Sequence, residues 1–520
     1  MTASPRPAQP VAPPPAAPPL DALGSAAVWL AALAALTGLR LLVAGLTPLS
    51  PDEAYYWVWS RASAPGYLDH PPMVALWIAA GTGLAGEGAS GVRLLGPLSA
   101  AAGSLLLAHA AEGLFPGRGA GVRAAVLLNA TLLLGVGAVT MTPDTPLILF
   151  WTAALWALVR VLRTGRGVWW LAVGAAAGGA LLSKYTAVLL GAGILMWLAW
   201  VPPLRRWLRD PWPYAGGAVA LALFAPVVAW NAGHGWASFA KQGGRAGDWD
   251  PAEAVRHLSE LLGGQVGLAT PLVFALLVAG SWAAARRLPA RDPARCLLAA
   301  LVLPGAAVFV QHALGDRVQG NWPAVLYPAA AAAAGALDGR AWRRLWRPAA
   351  ALGLALTGLV YVQAVAAPLP LPRRLDPTLA RLAGWPGLAR AADELRAREG
   401  AAYLAAESYA LACELAWHAP PGAAVLGVEE RWRLFDLPRP RGAGDTGLLL
   451  QSTRRSEPPD PAYWRDAREI GRLTRARAGV VAEEYRVYRV TRREDAPAAV
   501  LPRPARAGQA PARSPEPNPE

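Results

Sequence analysis

The sequence predicts a mostly α protein: a polytopic transmembrane helical bundle of about eleven spans plus interfacial helices, with a small C-terminal α/β extracytoplasmic domain. Three observations carry that expectation. The chain has 520 residues, 54% hydrophobic and 16% charged, a balance that suits a lipid-embedded bundle better than soluble domains. Its apolar residues come in blocks such as "AAVWLAALAALTGLRLLVAGL" and "ALGLALTGLVYVQAVAAPL", near the ~20 residues a helix needs to cross a bilayer core. The late region instead reads as short strand-like runs around a helix-like one.

Taken in order, residues 1–20 form a Pro/Ala-rich tail with too little apolar content to fold. Residues 21–368 form the membrane region. Its spans are expected at 23–46, 92–115, 122–140, 144–162, 168–183, 184–201, 214–230, 261–283, 296–313, 322–338 and 348–367. The first block follows a Pro/Ala stretch rather than a short basic region and shows no clear cleavage site, so it reads as a retained anchor. "PPMVALWIAAGTGL" at 71–84 is short for a span and is expected to lie on, or dip into, the outer interface. Residues 388–490 form the α/β domain, with strands at "AAYLAAES", "AAVLGVEE", "TGLLLQST" and "EEYRVYRV" and a helix at "SYALACELAWHA". Residues 491–520 are a second tail.

The net charge of +14 does not mark a nucleic-acid partner, because the arginines lie in short loops between apolar blocks. With the amino terminus cytoplasmic, every dense cluster (Arg118/Arg123, Arg160/Arg163/Arg166, Arg205/Arg206/Arg209, Arg286/Arg287/Arg291/Arg295 and Arg340/Arg343/Arg344/Arg347) falls on the cytoplasmic side. This parity predicts a multi-pass chain with membrane lipids as partners. The other face gathers "SPDEAYYWVWS", "GYLDHPP", "MTPDTP", "LLSKYT", "WNAGHGWASFAKQGGRAGDWD" and "HALGDRVQGNWP". Polar, rare and aromatic residues thus converge outside the cytoplasm, where the active site is expected. Cys296 and Cys413 are too few for a disulfide framework.

Ser50-Pro51-Asp52-Glu53 has the grammar of a helix start: Ser50 as N-cap, Pro51 opening the helix and Glu53 completing a capping box. That explains Glu53 without chemistry. The same grammar recurs at Thr142-Pro143-Asp144, so Asp52 and Asp144 are twin carboxylates that capping does not require, each at the favourable end of a helix dipole. They are the candidate bases or cation ligands. Lys184 and Lys241 are the only lysines in the chain, both on the outer face. Lys184 suggests a phosphate contact, and Arg245 and Arg317 add outer charge that a solvated loop explains equally well. Asp69 and His70 could join His234, His257 or His312 around a divalent metal, although no paired-cysteine or H-E-x-x-H spacing supports one. A hydrogen-bonded interfacial histidine is the simpler account of His70. No P-loop and no G-x-S-x-G elbow is present, so no nucleotide cofactor is expected.

The order of these motifs resembles a known superfamily. An early "DE" before aromatics, then "GYLDHPP", "GVRL", "TPDTPL" and "LLSKYT", over roughly Leu49 to Tyr327, is similar to the GT-C glycosyltransferases. The nearest branch comprises bacterial relatives of protein O-mannosyltransferases and the lipid A aminoarabinose transferase, and the resemblance implies a place in the bacterial plasma (inner) membrane. The resemblance implies transfer of a sugar, usually with inversion, from a polyprenyl-phosphate donor to an extracytoplasmic acceptor: a lipid, an envelope glycan or a protein. It implies that Asp52 and Asp144 are the family's two outer-loop aspartates and Glu53 the accompanying acid. Where Asp69-His70 stands, some relatives carry an acid that contacts metal and a lysine near the donor phosphate. Histidine here shifts the phosphate clamp toward Lys184 or an arginine. A transporter or flippase of lipid-linked sugars is the competing reading, and it predicts charges at mid-span depth and broken helices.

Overall fold

The computed structural model describes residues 20–243, 251–440 and 445–505. The expected tail at 1–20, apart from its last residue, and the tail from 506 onward lie outside the described residues. From the amino terminus the helices are α1 (Leu20–Leu46), α2 (Pro51–Arg61), α3 (Met73–Ala85), α4 (Ala89–Arg93), α5 (Leu95–Leu114), α6 (Ala120–Asn129) and α7 (Leu132–Gly137). There follow α8 (Asp144–Thr164), α9 (Trp169–Ser183), α10 (Val188–Trp200), α11 (Pro211–Gly233), α12 (Ala237–Gly243), α13 (Pro251–Ala269), α14 (Pro271–Ala285), α15 (Pro293–Ala313), α16 (Tyr327–Gly335) and α17 (Arg340–Val365).

Among the described residues, six helices are long and apolar enough to cross a membrane, or up to eight if each of two bent pairs makes one span. The expected count of eleven is therefore not reached by length. The 122–140 block breaks at Ala130 into α6 and α7, because Thr131 caps a new helix by accepting from Leu134 N. The blocks at 168–183 and 322–338 give helices of 15 and 9 residues, short for a bilayer crossing. Two apolar stretches turn sharply instead of running through: α13 meets α14 at 107°, and α10 meets the 3-10 helix Pro202–Arg209 at 117°.

Glycines let the bundle close. A Cβ on Gly174 of α9 would lie 2.0 Å from the Gly216 carbonyl oxygen of α11, and one on Gly353 of α17 would lie 1.9 Å from the Ala130 carbonyl oxygen. Backbones touch at these points, as small residues allow in membrane helices. Polarity is graded along single helices: α8 opens on Asp144 and ends near Arg160 and Arg163, about 25 Å away at 1.5 Å per residue.

The C-terminal unit comprises α18 (Pro377–Leu382), α19 (Trp385–Arg398), β1 (Tyr403–Ala406), α20 (Tyr409–His418), β2 (Ala424–Val428), β3 (Thr446–Ser452), β4 (Trp464–Arg477), β5 (Val480–Arg492) and β6 (Ala498–Val500). The sheet order is β4-β5-β3-β1-β2-β6, with β3-β1-β2 parallel and the outer pairs antiparallel. The four strands and the helix expected from sequence are present. Strand β4 was not expected, since its charges alternate too densely to read as a half-buried strand. The boundaries 388 and 490 also move: Trp385 is buried in the core that joins α2 to α20, and β6, within the expected tail, pairs with β2 and buries Ala499. Three small residues bordered by prolines carry almost no strand signal, and only the register with Leu426–Val428 gives them one.

Candidate functional site

Helix α2 starts the site. Ser50 caps it in extended conformation and Pro51 opens it, as the sequence predicts. Glu53, however, expected among the site's acids, does not line the cavity. Its carboxylate receives Arg93 Nε at 2.5 Å and Nη2 at 2.7 Å, Ser50 N and Oγ at 2.9 Å, and Met141 N at 2.9 Å. Burial alone raises its pKa, but Arg93 and these hydrogen bonds outweigh it and hold the carboxyl below its ordinary value. Arg93 also donates to the carbonyls of Ala44, Thr47 and Pro48. One fully buried ion pair thus ties the end of α1, the start of α2, α4 and the loop before α8 into one platform.

Asp52, the residue before Glu53, lines two cavities. One, of about 480 Å3, is walled by Asp52, Tyr56, Asp69, His70, Asp144, Lys184, Lys241 and Asn321 together with Tyr409 of the C-terminal unit. The second, of about 300 Å3, runs between α5, α7 and α8, past Gly96, Ser99, Leu133 and Ile148, with Arg381 at its mouth. Asp52, Thr142, Asp144 and Asn321 line both. A third, apolar cavity of about 600 Å3 between α13, α14 and α15 shares Phe309 with the first.

The cations sit unevenly. Lys184 Nζ donates to Asp144 Oδ1 at 2.8 Å, and Asn321 Nδ2 donates to Asp144 Oδ2 at 2.5 Å. The helix carrying Asp144 starts at that residue and has no side-chain cap, so Thr142 does not repeat the role of Ser50; Thr142 N instead donates to Thr145 Oγ1. Lys241 Nζ lies 2.5 Å from Asp69 Oδ1, and Gln242 Nε2 donates to the Asp69 carbonyl at 2.8 Å. From the C-terminal unit, Arg431 donates to Asp69 Oδ2 and to the Tyr55 hydroxyl, both at 3.1 Å, and its guanidinium stacks 4.2 Å over Tyr409. Burial pushes the pKa of Asp69 up, but Lys241 and Arg431 prevail and lower it. Asp52 is met from the same unit, by Arg381 at 3.0 Å and the Tyr409 hydroxyl at 3.4 Å.

His70 borders the cavity, but burial and then the neighbouring charge of Lys184 push its pKa down to about 4. It is a neutral ring, unsuited to serve as a phosphate-binding cation. Arg317 is not at the site: it pairs with Glu260 at 2.9 Å in an exposed loop contact. Arg245 lies outside the described residues. The expected pairing of Asp69 with His234 around a metal is not supported either. His234 stacks on Trp230 at 4.2 Å and hydrogen-bonds its carbonyl, while Asp69 is matched by two cations. Among the described residues no three His, Cys, Asp or Glu side chains cluster as a metal site would need.

Lys241, Asn321, Tyr409, Arg381 and Arg431 were not among the expected site residues. Lys241 carried a signal, as one of only two lysines, and Asn321 lay within a quoted outer loop. Arg431 carried none, being one arginine among many and 362 residues from Asp69.

Residues 69–230 match the family model described as dolichyl-phosphate-mannose-protein mannosyltransferase. The chain is 28% identical over 284 residues to the lipid A galacturonosyltransferase RgtD of Rhizobium johnstonii, an alignment that covers 54% of this chain and 58% of that relative. Its fold is similar to that of ArnT from Cupriavidus metallidurans in the apo state, with TM-score 0.58 and 17% identity over 90% of this chain and 98% of that one. The same protein bound to undecaprenyl phosphate gives TM-score 0.57 and 16% identity over the same shares.

Proposed function

We propose that the chain is a glycosyltransferase of the GT-C kind that moves a sugar from a polyprenyl-phosphate donor to an extracytoplasmic hydroxyl acceptor, a reading that the matched segment, the lipid A galacturonosyltransferase relative and the ArnT-like fold support. The observation that carries this reading is the meeting of two cavities at Asp52 and Asp144, one of them lined by both lysines of the chain. A two-substrate transfer needs such a junction. The cavity with Lys184 and Lys241 takes the donor phosphate, and the apolar cavity that joins it at Phe309 takes the carrier's hydrocarbon. The cavity between α5, α7 and α8 takes the acceptor, and its apolar wall favours a lipid, the class named for RgtD.

Asp52 is the base. It takes the proton of the acceptor hydroxyl as that oxygen attacks the anomeric carbon from the side opposite the phosphate. The carbon–oxygen bond to phosphate breaks, its electron pair leaves with the carrier phosphate, and the configuration inverts. The phosphate gains negative charge in that step. An ammonium has three donors, so Lys184 and Lys241 can each hold a carboxylate and still present N–H groups to the phosphate. Asp144 orients Lys184, and Asp69 orients Lys241. A metal is not part of this scheme, because two ammonium groups supply the charge. The membrane orientation follows the arginine parity, with the site and the C-terminal unit outside the cytoplasm.

Asp52→Asn tests the reading. Purified variant supplied with radiolabelled polyprenyl-phosphate sugars and membrane extract should lose transfer by about 100-fold or more while its membrane expression is unchanged. Full transfer by this variant would overturn the mechanism.

A further inference from the structure

A fourth cavity, of about 330 Å3, lies at the opposite end of the bundle. Its lining includes Trp282, Arg286 and Arg287 at the end of α14, Arg295 near the start of α15 and Trp342 near the start of α17. Along α15, Leu298 of this cavity and His312 of the catalytic one are 14 residues apart, about 21 Å. The floor is rigid: α14 rests on α16 so closely that a Cβ on Gly280 would lie 2.4 Å from Ala334 N.

Its charge is not balanced. Arg295 pairs with Asp292 at 3.0 Å and stacks 5.4 Å over Phe115. Asp338, the acid in the lining, is held by Arg118 through both carboxylate oxygens at 2.7 and 2.9 Å. Among the described residues, neither the Arg286 nor the Arg287 guanidinium makes an ion pair or a side-chain hydrogen bond. Two exposed guanidinium groups free of ion pairs therefore stand over a half-open space beside Trp282, which is 64% exposed, and Trp342, 38% exposed. Exposed tryptophans of this kind sit at the headgroup level of a bilayer. Trp282 also lines the end of the apolar groove on α14, next to exposed Val278. A cationic pocket bordered by apolar surface is complementary to an anion that carries its own hydrocarbon.

We propose that this pocket seats the headgroup of an anionic phospholipid, its phosphodiester between Arg286, Arg287 and Arg295 and its acyl chain against Val278 and Trp282. Arginine suits this ligand, since its planar fork meets phosphate oxygens in pairs. The arginine cluster then does more than set orientation: it anchors the ends of α14, α15 and α17 to the leaflet opposite the catalytic cavity. The assignment is independent of the glycosyl-transfer reading.

Native mass spectrometry of the full-length protein released from detergent tests it. Phosphatidylglycerol should be retained about tenfold more than phosphatidylcholine of the same acyl chains. Arg286→Gln/Arg287→Gln should bring retention down to the phosphatidylcholine level, and Arg286→Lys/Arg287→Lys, which keeps the charge without the fork, should fall between the two. Inorganic phosphate offered alone should leave no adduct. Equal retention of the two lipids by the native protein, retention unaffected by the glutamine pair, or a phosphate adduct without lipid would each overturn the proposal. The comparison of two lipids on the native protein decides even if the glutamine variant fails to fold.

Discussion

Replacing Glu53 by Gln leaves Arg93, 1% exposed, without its counter-charge. Breaking a buried pair from one side costs about 3–5 kcal/mol, so Glu53→Gln should lower the thermal midpoint and the yield of folded protein, with activity lost only in proportion to folding. Asp52→Asn should do the reverse, which separates two acids adjacent in sequence. Asp69 gives a pH signature. Its folded pKa is lowered, so its contribution to stability is present above the ordinary carboxylate value and is lost as pH falls through the lowered one. Thermal unfolding of Asp69→Asn and the native protein should therefore differ at neutral pH and converge in acid. His70 acts with the same sign in a higher pH window. Its pKa drops from 6.5 to about 4, so below 6.5 the unfolded chain binds the extra proton and stability falls until about 4. In the folded state the ring stays neutral, and His70→Gln should leave the shape of the activity profile unchanged between about pH 5 and 8.

At the level of elements, the closest helix contacts are the informative ones. Gly174→Ala drives a methyl group into the Gly216 carbonyl, and helices α9 and α11 must separate to admit it. The cost is about 1–3 kcal/mol, read as a lower unfolding midpoint in detergent. Gly217→Ala, on the same helix as Gly216 but with nothing within 4 Å of its Cβ, should leave the midpoint unchanged or raise it. Hydropathy located nearly all of these helices, because lipid exposure demands apolar side chains whatever the fold. It could not tell a crossing from a short or bent segment, because the break at Ala130 and the 107° turn before α14 depend on what packs around them. Broken helices were the mark expected of a transporter. Bent helices are present, but the site's carboxylates and both lysines gather in one cavity at one end of the bundle.

For the whole molecule, the decisive feature is that the C-terminal unit enters the site. Arg431 holds Asp69 from one side while Lys241 holds it from the other, so Asp69→Asn and Arg431→Gln should be coupled. In a double-mutant cycle on transfer rates, the pair should cost no more than the worse single change, with an interaction of about 0.5–3 kcal/mol. Additive losses would mean that Arg431 acts only on folding. The sequence by itself determined the membrane class, the grouping of polar motifs on one face, the order of those motifs, the twin aspartates and the exceptional lysines. These are properties of composition and local grammar, set by the bilayer and by helix starts. Only the tertiary structure decided that Glu53 belongs to a buried platform, that Asp52 lies between two cavities, and that Lys241 rather than Arg317 reaches the site. It also decided that an arginine 362 residues away completes the setting of Asp69. Such pairings depend on where distant backbones are brought together, and an arginine in the sequence carries no mark of which carboxylate it will meet.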